Sequence, residues 1–281
     1  MRIKRVEESS LTIHSVYRTL SQYQEKATVA RVEQLSIDNI RLTLDCPDIA
    51  KGARPGQFVM IRTGVGKDPL LRRPFSIHQT TSQGQIQIYF KVVGRGTEIL
   101  AHVKKGENLS VFGPLGRGFR IAESAPACLV GGGLGIAPML FLAKKISQIK
   151  KDCSQDLIIL GGRTRSEVEP LMKDFEQLDI RIATATDDGS YGQRGFVTDV
   201  FTGHSLPVDC SVYCCGPEPM MAKISALSKE RHFPCQVSVE SVMACGMGAC
   251  LGCSKPTKSG AYAHVCLDGP VFDAEDMVWN L

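Results

Sequence analysis

The spacing of four cysteines near the C-terminal end constrains this chain more than any other feature. Cys245 and Cys250 are separated by four residues, Cys250 and Cys253 by two, and Cys253 and Cys266 by twelve. This C-x4-C-x2-C…C pattern is the spacing of plant-type [2Fe–2S] proteins. Each iron of such a cluster takes two thiolates, and three of the four come here from one tight loop. That loop also carries Gly246, Gly248 and Gly252, with Ala244 and Ala249. Residues this small let backbone N–H groups approach the sulfurs, which stabilises a negatively charged cluster and tunes its potential. No histidine replaces a cysteine, which argues against a Rieske centre. Two other readings of the same residues stay open. One is a structural zinc site, although such sites usually show two close cysteine pairs and this sequence has a single C-x-x-C. The other is four unrelated buried cysteines.

The remaining cysteines place the chain in a compartment. The total is 11, an odd number that a secreted protein of this size would rarely carry. Cytosolic thiols stay reduced, so clustered cysteines there point to metal or redox chemistry. Residues 1–10 are charged and lack an apolar secretory core, and no apolar run reaches the roughly 18 residues of a membrane span. The expectation is a cytoplasmic protein without a membrane anchor. Lys plus Arg exceeds Asp plus Glu by only four, 33 against 29, too mild an excess to argue for nucleic acid.

Four segments follow along the chain. Residues 1–25 are polar and weakly patterned, an N-terminal extension without assignable chemistry. Residues 26–122 carry a β pattern: Thr28-Val29-Ala30-Arg31-Val32, Ile40-Arg41-Leu42-Thr43-Leu44 and Ile86-Gln87-Ile88-Tyr89-Phe90 alternate apolar and polar. Turn signals such as Arg54-Pro55-Gly56 separate them, and one helical stretch runs from Thr97 to about Val103. Several short strands at this spacing predict a small antiparallel barrel or sandwich, of which the barrel is taken as the expectation. Residues 123–232 alternate strand and helix, with strands at 127–130, 157–160, 180–184 and 211–215 and helices at 137–149, 169–178 and 219–230. That alternation predicts a parallel sheet with helices on its faces. Residues 233–281 are too few to bury a large core, so a metal group would stabilise them.

Within the barrel segment lies Arg73-Pro74-Phe75-Ser76. Such a run suits a flavin: the guanidinium can pair with a diphosphate, the aromatic can lie against the ring system or ribose, and the hydroxyl can bond to the ring edge. Taken alone, it reads equally well as an ordinary strand start. About twenty residues on comes Lys91-Val92-Val93-Gly94-Arg95-Gly96-Thr97, a Gly-rich turn opening a helix whose first N–H groups suit a phosphate. Thr97 can also cap that helix.

In the alternating segment, Gly131-Gly132-Gly133-Leu134-Gly135-Ile136-Ala137-Pro138 follows a strand and precedes a helix, the context of a dinucleotide-binding loop. It departs from G-x-G-x-x-G, since Ile136 stands where the last glycine belongs, and a tight strand-to-helix turn is the plainer reading. Cys215-Gly216-Pro217 lies at the C-terminal end of a late strand, the edge where open α/β sheets bind ligands. Cys215 can sit beside a nicotinamide there or simply be a buried thiol. Arg163 and Arg165 follow the second strand of this segment, where an arginine can hold a 2′-phosphate or be a surface charge.

With these signatures in this order, the chain resembles the ferredoxin–NADP reductase superfamily. Residues 243–253, Met-Ala-Cys-Gly-Met-Gly-Ala-Cys-Leu-Gly-Cys, and 265–272, Val-Cys-Leu-Asp-Gly-Pro-Val-Phe, resemble the electron-transfer subunits of type B dihydroorotate dehydrogenase. The likeness spans about residues 26–281. It implies one FAD, held partly by Arg73, Pro74, Phe75, Ser76, Gly96 and Thr97, with Phe90, Lys91 and Val92 lining the same flavin. It implies NAD as co-substrate at Gly131, Gly132, Gly133, Gly135, Cys215, Gly216 and Pro217. It implies a [2Fe–2S] cluster on Cys245, Cys250, Cys253 and Cys266, with no catalytic acid or base on this chain. It further implies a separate FMN-bearing catalytic subunit that oxidises dihydroorotate in pyrimidine biosynthesis, assembled as a heterotetramer of two subunits of each kind. Electrons would pass from that FMN through the cluster to FAD and on to NAD⁺, flavin being the natural converter between single-electron and hydride chemistry. Two rivals carry the same motifs or part of them: an NAD(P)H-dependent reductase feeding an oxygenase, hydrogenase or ferredoxin, and a redox-sensing regulator. The intact glycine loop argues against the second. A zinc-stabilised interaction module is a third.

Overall fold

A computed structural model describes residues 22–279 apart from Val65 and Lys67. Most of the expected N-terminal extension lies outside the described residues, and regular structure begins with its last few.

The first half is a closed barrel of six antiparallel strands: β1 (Tyr23–Gln34), β2 (Asn39–Asp45), β3 (Phe58–Arg62), β4 (Arg73–Thr80), β5 (Gln85–Lys91) and β6 (Asn108–Leu115). They close in the order β1-β2-β5-β4-β3-β6. The period-2 pattern is the cause. Ile86 and Ile88 of β5 point inward with Leu42 and Leu44 of β2, Ile77 of β4, Ile61 of β3 and Val111 of β6, all fully buried. Each such side chain contributes about 1.5–3 kcal/mol of burial. Two short helices, α1 (Pro47–Gly52) and α2 (Arg95–Ala101), complete this half, burying Ile49 and Leu100 in the same core.

The second half is a seven-stranded sheet. Its elements are β7 (Ala127–Gly132), α3 (Ala137–Ile149), β8 (Leu157–Gly162), α4 (Arg165–Phe175), β9 (Arg181–Thr186), β10 (Gln193–Arg194), α5 (Val197–Gly203), β11 (Ser211–Cys215), α6 (Glu218–Glu230) and β12 (Cys235–Ser238). After a loop come the hairpin strands β13 (Ser254–Pro256) and β14 (Tyr262–His264), and then β15 (Val271–Asp273). The sheet order is β10-β9-β8-β7-β11-β12-β15, parallel throughout except for β15. Strands β7, β8 and β11 are almost entirely buried, as strands covered on both faces must be. The segment expected as a separate cluster domain, 233–281, therefore contributes two strands to this sheet.

The two halves meet along β4 and β5 of the barrel and α3 and α4 of the sheet domain. Arg41 binds both Glu33 and Asp174, with its side chain 13% exposed. Lys144 donates to the Gln79 amide oxygen. Lys91 reaches Glu167 at 3.4 Å. His78, fully buried, has its Nδ1 2.7 Å from the Ala137 carbonyl oxygen. On the other side, Arg117 donates its backbone N–H to Gly269 and bridges to Pro270, joining the barrel to the C-terminal segment.

Candidate functional site

The flavin motif occupies the start of β4, and the strand's alternation splits it. Phe75 points into the barrel, 5.4 Å from the Phe90 ring, and both belong to the barrel core. Neither ring lies on the outer surface, so any role in holding a flavin falls to their backbone. Pro74 and Ser76 are half-buried on the outer face. Arg73 lies over Gly96: a Cβ at Gly96 would stand 3.1 Å from Arg73 Nε, so the glycine makes room for the guanidinium. Thr97 is the third residue of α2 rather than its cap. Its hydroxyl donates to the Gly94 carbonyl and accepts from the N–H groups of Val93 and Gly94, which fixes the turn. Lys91 aims away from this motif toward Asp38 and Glu167. Val92 continues from β5, its N–H bonded to the Asp38 carbonyl. An Arg over a glycine, a half-buried outer strand face and a tight glycine turn fit a dinucleotide flavin.

The glycine loop runs from the end of β7 through a 3-10 turn, Gly133–Ile136, into α3. Its glycines are required by close packing. A Cβ on Gly135 would fall 2.1 Å from the Cys215 carbonyl oxygen, and one on Gly132 would fall 2.3 Å from Met220 Sδ. Gly133 has φ +57°, a left-handed conformation that glycine adopts at little cost. Thus Gly131, Gly132 and Gly135 lie beside Cys215, Gly216 and Pro217, while Gly133 faces open space. A cavity of about 620 Å³ opens there. Burial pushes the Cys215 thiol well above its ordinary range, with Glu240 adding to the rise, so Cys215 is a neutral thiol. Burial likewise raises the Glu240 carboxyl.

The cavity includes residues without a sequence signal. Asn39 and Tyr89 line it from the barrel, while Glu167, Asp187 and Phe196 line it from the sheet domain. Lys91, expected against the flavin, lines it as well. Burial alone would raise the Glu167 carboxyl, but its hydrogen bonds from Arg163 outweigh that and hold it low. Arg163 reaches Glu167 through Nε at 3.0 Å and through its own backbone N–H at 2.9 Å. Arg165 is paired with Glu169. Both arginines considered for a 2′-phosphate are thus engaged by carboxylates. Asp187, just beyond the C-terminal end of β9, was legible in principle, since acidic residues at that edge bind ribose hydroxyls.

The four cysteines of the loop form two pairs. Cys253 and Cys266 are buried with their sulfurs 3.3 Å apart. Cys245 and Cys250 lie nearer the surface, with the Cys250 N–H directed at Cys245 Sγ at 3.4 Å. Among the described residues, no three His, Cys, Asp or Glu side chains converge on a single metal ion. A dinuclear cluster spreads its thiolates over two irons and needs pairs. Further N–H groups point at the sulfurs: Met247 to Cys245 at 3.4 Å and Gly248 to Cys266 at 3.0 Å. Burial raises the Cys245 thiol, but the N–H groups of Met247, Cys250 and Ala249 and the Cys250 thiol outweigh it and bring Cys245 to about 6. Burial and the adjacent Cys253 sulfur raise Cys266. Thiolate stabilisation by backbone N–H groups is the chemistry an anionic iron–sulfur cluster requires.

Comparison with known proteins matches three stretches of the chain. Residues 26–119 match the model of an oxidoreductase FAD-binding domain, and residues 129–226 that of an oxidoreductase NAD-binding domain. Residues 240–278 match the iron–sulfur cluster binding domain of dihydroorotate dehydrogenase B. The chain is 39% identical over 260 residues to the dihydroorotate dehydrogenase B (NAD(+)) electron transfer subunit of Desulforamulus reducens, covering 90% of this chain and 98% of that one. It is likewise 39% identical over 264 residues to the Bacillus caldolyticus subunit of the same name, covering 91% and 98%. Among solved structures it is similar to an NADH-dependent reduced ferredoxin–NADP oxidoreductase, with a TM-score of 0.77 at 29% identity, covering 91% and 90% of the two chains. The ferredoxin reductase of carbazole 1,9a-dioxygenase shares the fold, with a TM-score of 0.60 at 23% identity over 76% of this chain and 66% of that one.

Proposed function

Because this chain belongs to the electron-transfer subunits of dihydroorotate dehydrogenase B, we propose that it carries electrons from an FMN-bearing catalytic partner to NAD⁺ in pyrimidine biosynthesis. The observation that supports the reading is that the candidate nucleotide, cluster and flavin motifs each sit in close packing within one connected body. The glycine loop packs on Cys215, the cysteine loop packs on β3, and the flavin motif lies on β4 beside β3. We assign the cluster, as [2Fe–2S], to Cys245, Cys250, Cys253 and Cys266. The flavin is assigned to Arg73 and Ser76, to the backbone of Pro74, Phe75, Phe90, Lys91 and Val92, and to Gly96 with the turn that Thr97 braces. Bound there, FAD supplies the conversion between hydride and single-electron chemistry.

The chain's own residues hold and orient. The glycine loop lets a dinucleotide backbone approach the sheet edge, and the Gly135–Cys215 contact keeps that edge rigid. Cys215 stays neutral and places no charge against a nicotinamide. Asp187 and Glu167 put carboxylates at the cavity edge, which suits a ribose diol and opposes a 2′-phosphate. This supports NAD over NADP. No side chain of the site is required as an acid or base.

The partner's docking surface is assigned to the cysteine loop. Met247 and Leu251 beside the exposed Cys250, and Leu267 against Gly248, are each about half exposed. Exposed apolar groups this close together mark an interaction site. We place the assembly, two chains of each kind, in the cytoplasm; among the described residues no helix is long and apolar enough to cross a membrane.

Reconstitution with a dihydroorotate dehydrogenase B catalytic subunit tests the proposal. The mixed complex is expected to form orotate with NAD⁺ as acceptor, while this chain alone forms none. Orotate formation by this chain alone, or a mixture that neither associates nor reduces NAD⁺, would overturn the division of roles.

A further inference from the structure

The cysteine loop packs on the barrel at Met60 of β3, the strand beside the flavin strand, and at Leu115 of β6. Gly246, with φ +72°, sits directly against Met60 of β3: a Cβ there would meet Met60 Cγ at 2.6 Å and Sδ at 3.2 Å. Met60 is fully buried. It is registered opposite Pro74 of the flavin motif on β4 and opposite Phe112 on β6. Neighbours in register project to the same face of a sheet, so Met60 and Pro74 share the outer face of the barrel. The same apolar cluster holds Met60, Phe58 and Leu115 of the barrel together with Cys253, Cys266 and Val265 of the C-terminal segment. Arg72 secures the strand end from behind, donating to the Ser110 carbonyl at 2.7 Å and to its hydroxyl at 3.0 Å.

We propose that Met60 is the positioning residue that fixes the spacing between the cluster loop and the flavin strand, and through it the rate of one-electron exchange between the two groups. The inference rests on the relay reading above. In the direction driven by NADH, the nicotinamide gives a hydride to the flavin. One electron then leaves the reduced flavin, with its proton released to solvent, and reduces one ferric iron of the cluster to ferrous. Met60 touches neither redox centre in this account; it acts through Gly246 on one side and Pro74 on the other. Methionine suits the place, since its unbranched, polarisable side chain fills irregular gaps. A void beneath Gly246 would let the cysteine loop settle at several distances.

The test uses the full chain with both cofactors bound, in wild type, Met60→Ala and Met60→Leu. Leucine conserves volume and alanine does not. Anaerobic rapid mixing with NADH separates flavin bleaching from cluster reduction. All three proteins are expected to bleach flavin at the same rate. Cluster reduction in M60A is expected to slow by about tenfold or more, as small misplacements of reacting groups commonly do, and M60L to restore it. The EPR spectrum of the dithionite-reduced cluster is expected to broaden in M60A and to stay sharp in M60L. Should M60A fail to retain its cluster, Met60→Val carries the same comparison with a smaller void. Cluster reduction at the wild-type rate with an unbroadened spectrum, in whichever truncated variant retains its cluster, would overturn the proposal. A wild-type cluster that NADH never reduces would instead overturn the relay itself, so the two failures are distinct.

Discussion

At the scale of single residues, the chemistry divides into groups that carry charge and groups kept from it. The cluster loop turns backbone N–H groups onto sulfur, while Cys215 and His78 are held neutral by burial. His78 is the sharper case. Burial depresses it to about 4 from the usual 6.5, against the opposing pull of its hydrogen bond to Ala137; Asp174 raises it, and Arg41 and Lys144 lower it further. Between these values the unfolded chain binds a proton that the folded chain refuses. The contribution to stability is therefore complete above 6.5 and declines as pH falls toward 4, by roughly 3 kcal/mol across the window. Urea unfolding at a series of pH values should show the wild-type advantage over His78→Gln shrinking in that interval. An advantage that does not change with pH would contradict the buried neutral assignment. None of this was legible beforehand, because His78 follows the flavin motif without a pattern of its own and becomes notable only when α3 covers it.

At the scale of elements, what was legible had period or punctuation. Helix α3 occupies the residues its spacing predicts, 137–149, since the glycine loop and Pro138 mark its start. Helix α4 begins at Arg165, earlier than the expected Glu169, and carries Pro170 in its interior. Proline favours a first turn, and that preference draws a sequence-based start toward it. Strands β12 and β15, of four and three residues, are too short for alternation to register, so the sheet's far edge was hidden inside the cysteine segment. Within the candidate site, the motif residues were readable, whereas Asn39 and Tyr89 enter the cavity only through packing of the barrel on the sheet domain. The glycine loop supplies a prediction at this scale. Gly135→Ala places a methyl against the backbone carbonyl of Cys215, where no flexible side chain can yield. The apparent KM for NADH is expected to rise about tenfold or more, at an overpacking cost of roughly 1–3 kcal/mol in stability, with flavin and iron content retained. An unchanged KM would separate this loop from nucleotide binding.

At the scale of the whole molecule, the barrel, the sheet domain and the cysteine segment share their cores rather than standing as separate units. One apolar cluster runs from the barrel's Met60 through the sheet to Met277, and Arg41, Lys91 and His78 tie the barrel to the helices opposite. The elements to which the flavin, nucleotide and cluster are assigned are thus packed into one body, as the proposed electron relay requires. Anaerobic titration of the purified chain with NADH, followed by absorbance and EPR, tests this directly. The account predicts that flavin and cluster bands bleach together and that the rhombic signal of a reduced [2Fe–2S] centre grows in. A colourless protein holding zinc on its four cysteines, silent to NADH, would contradict it.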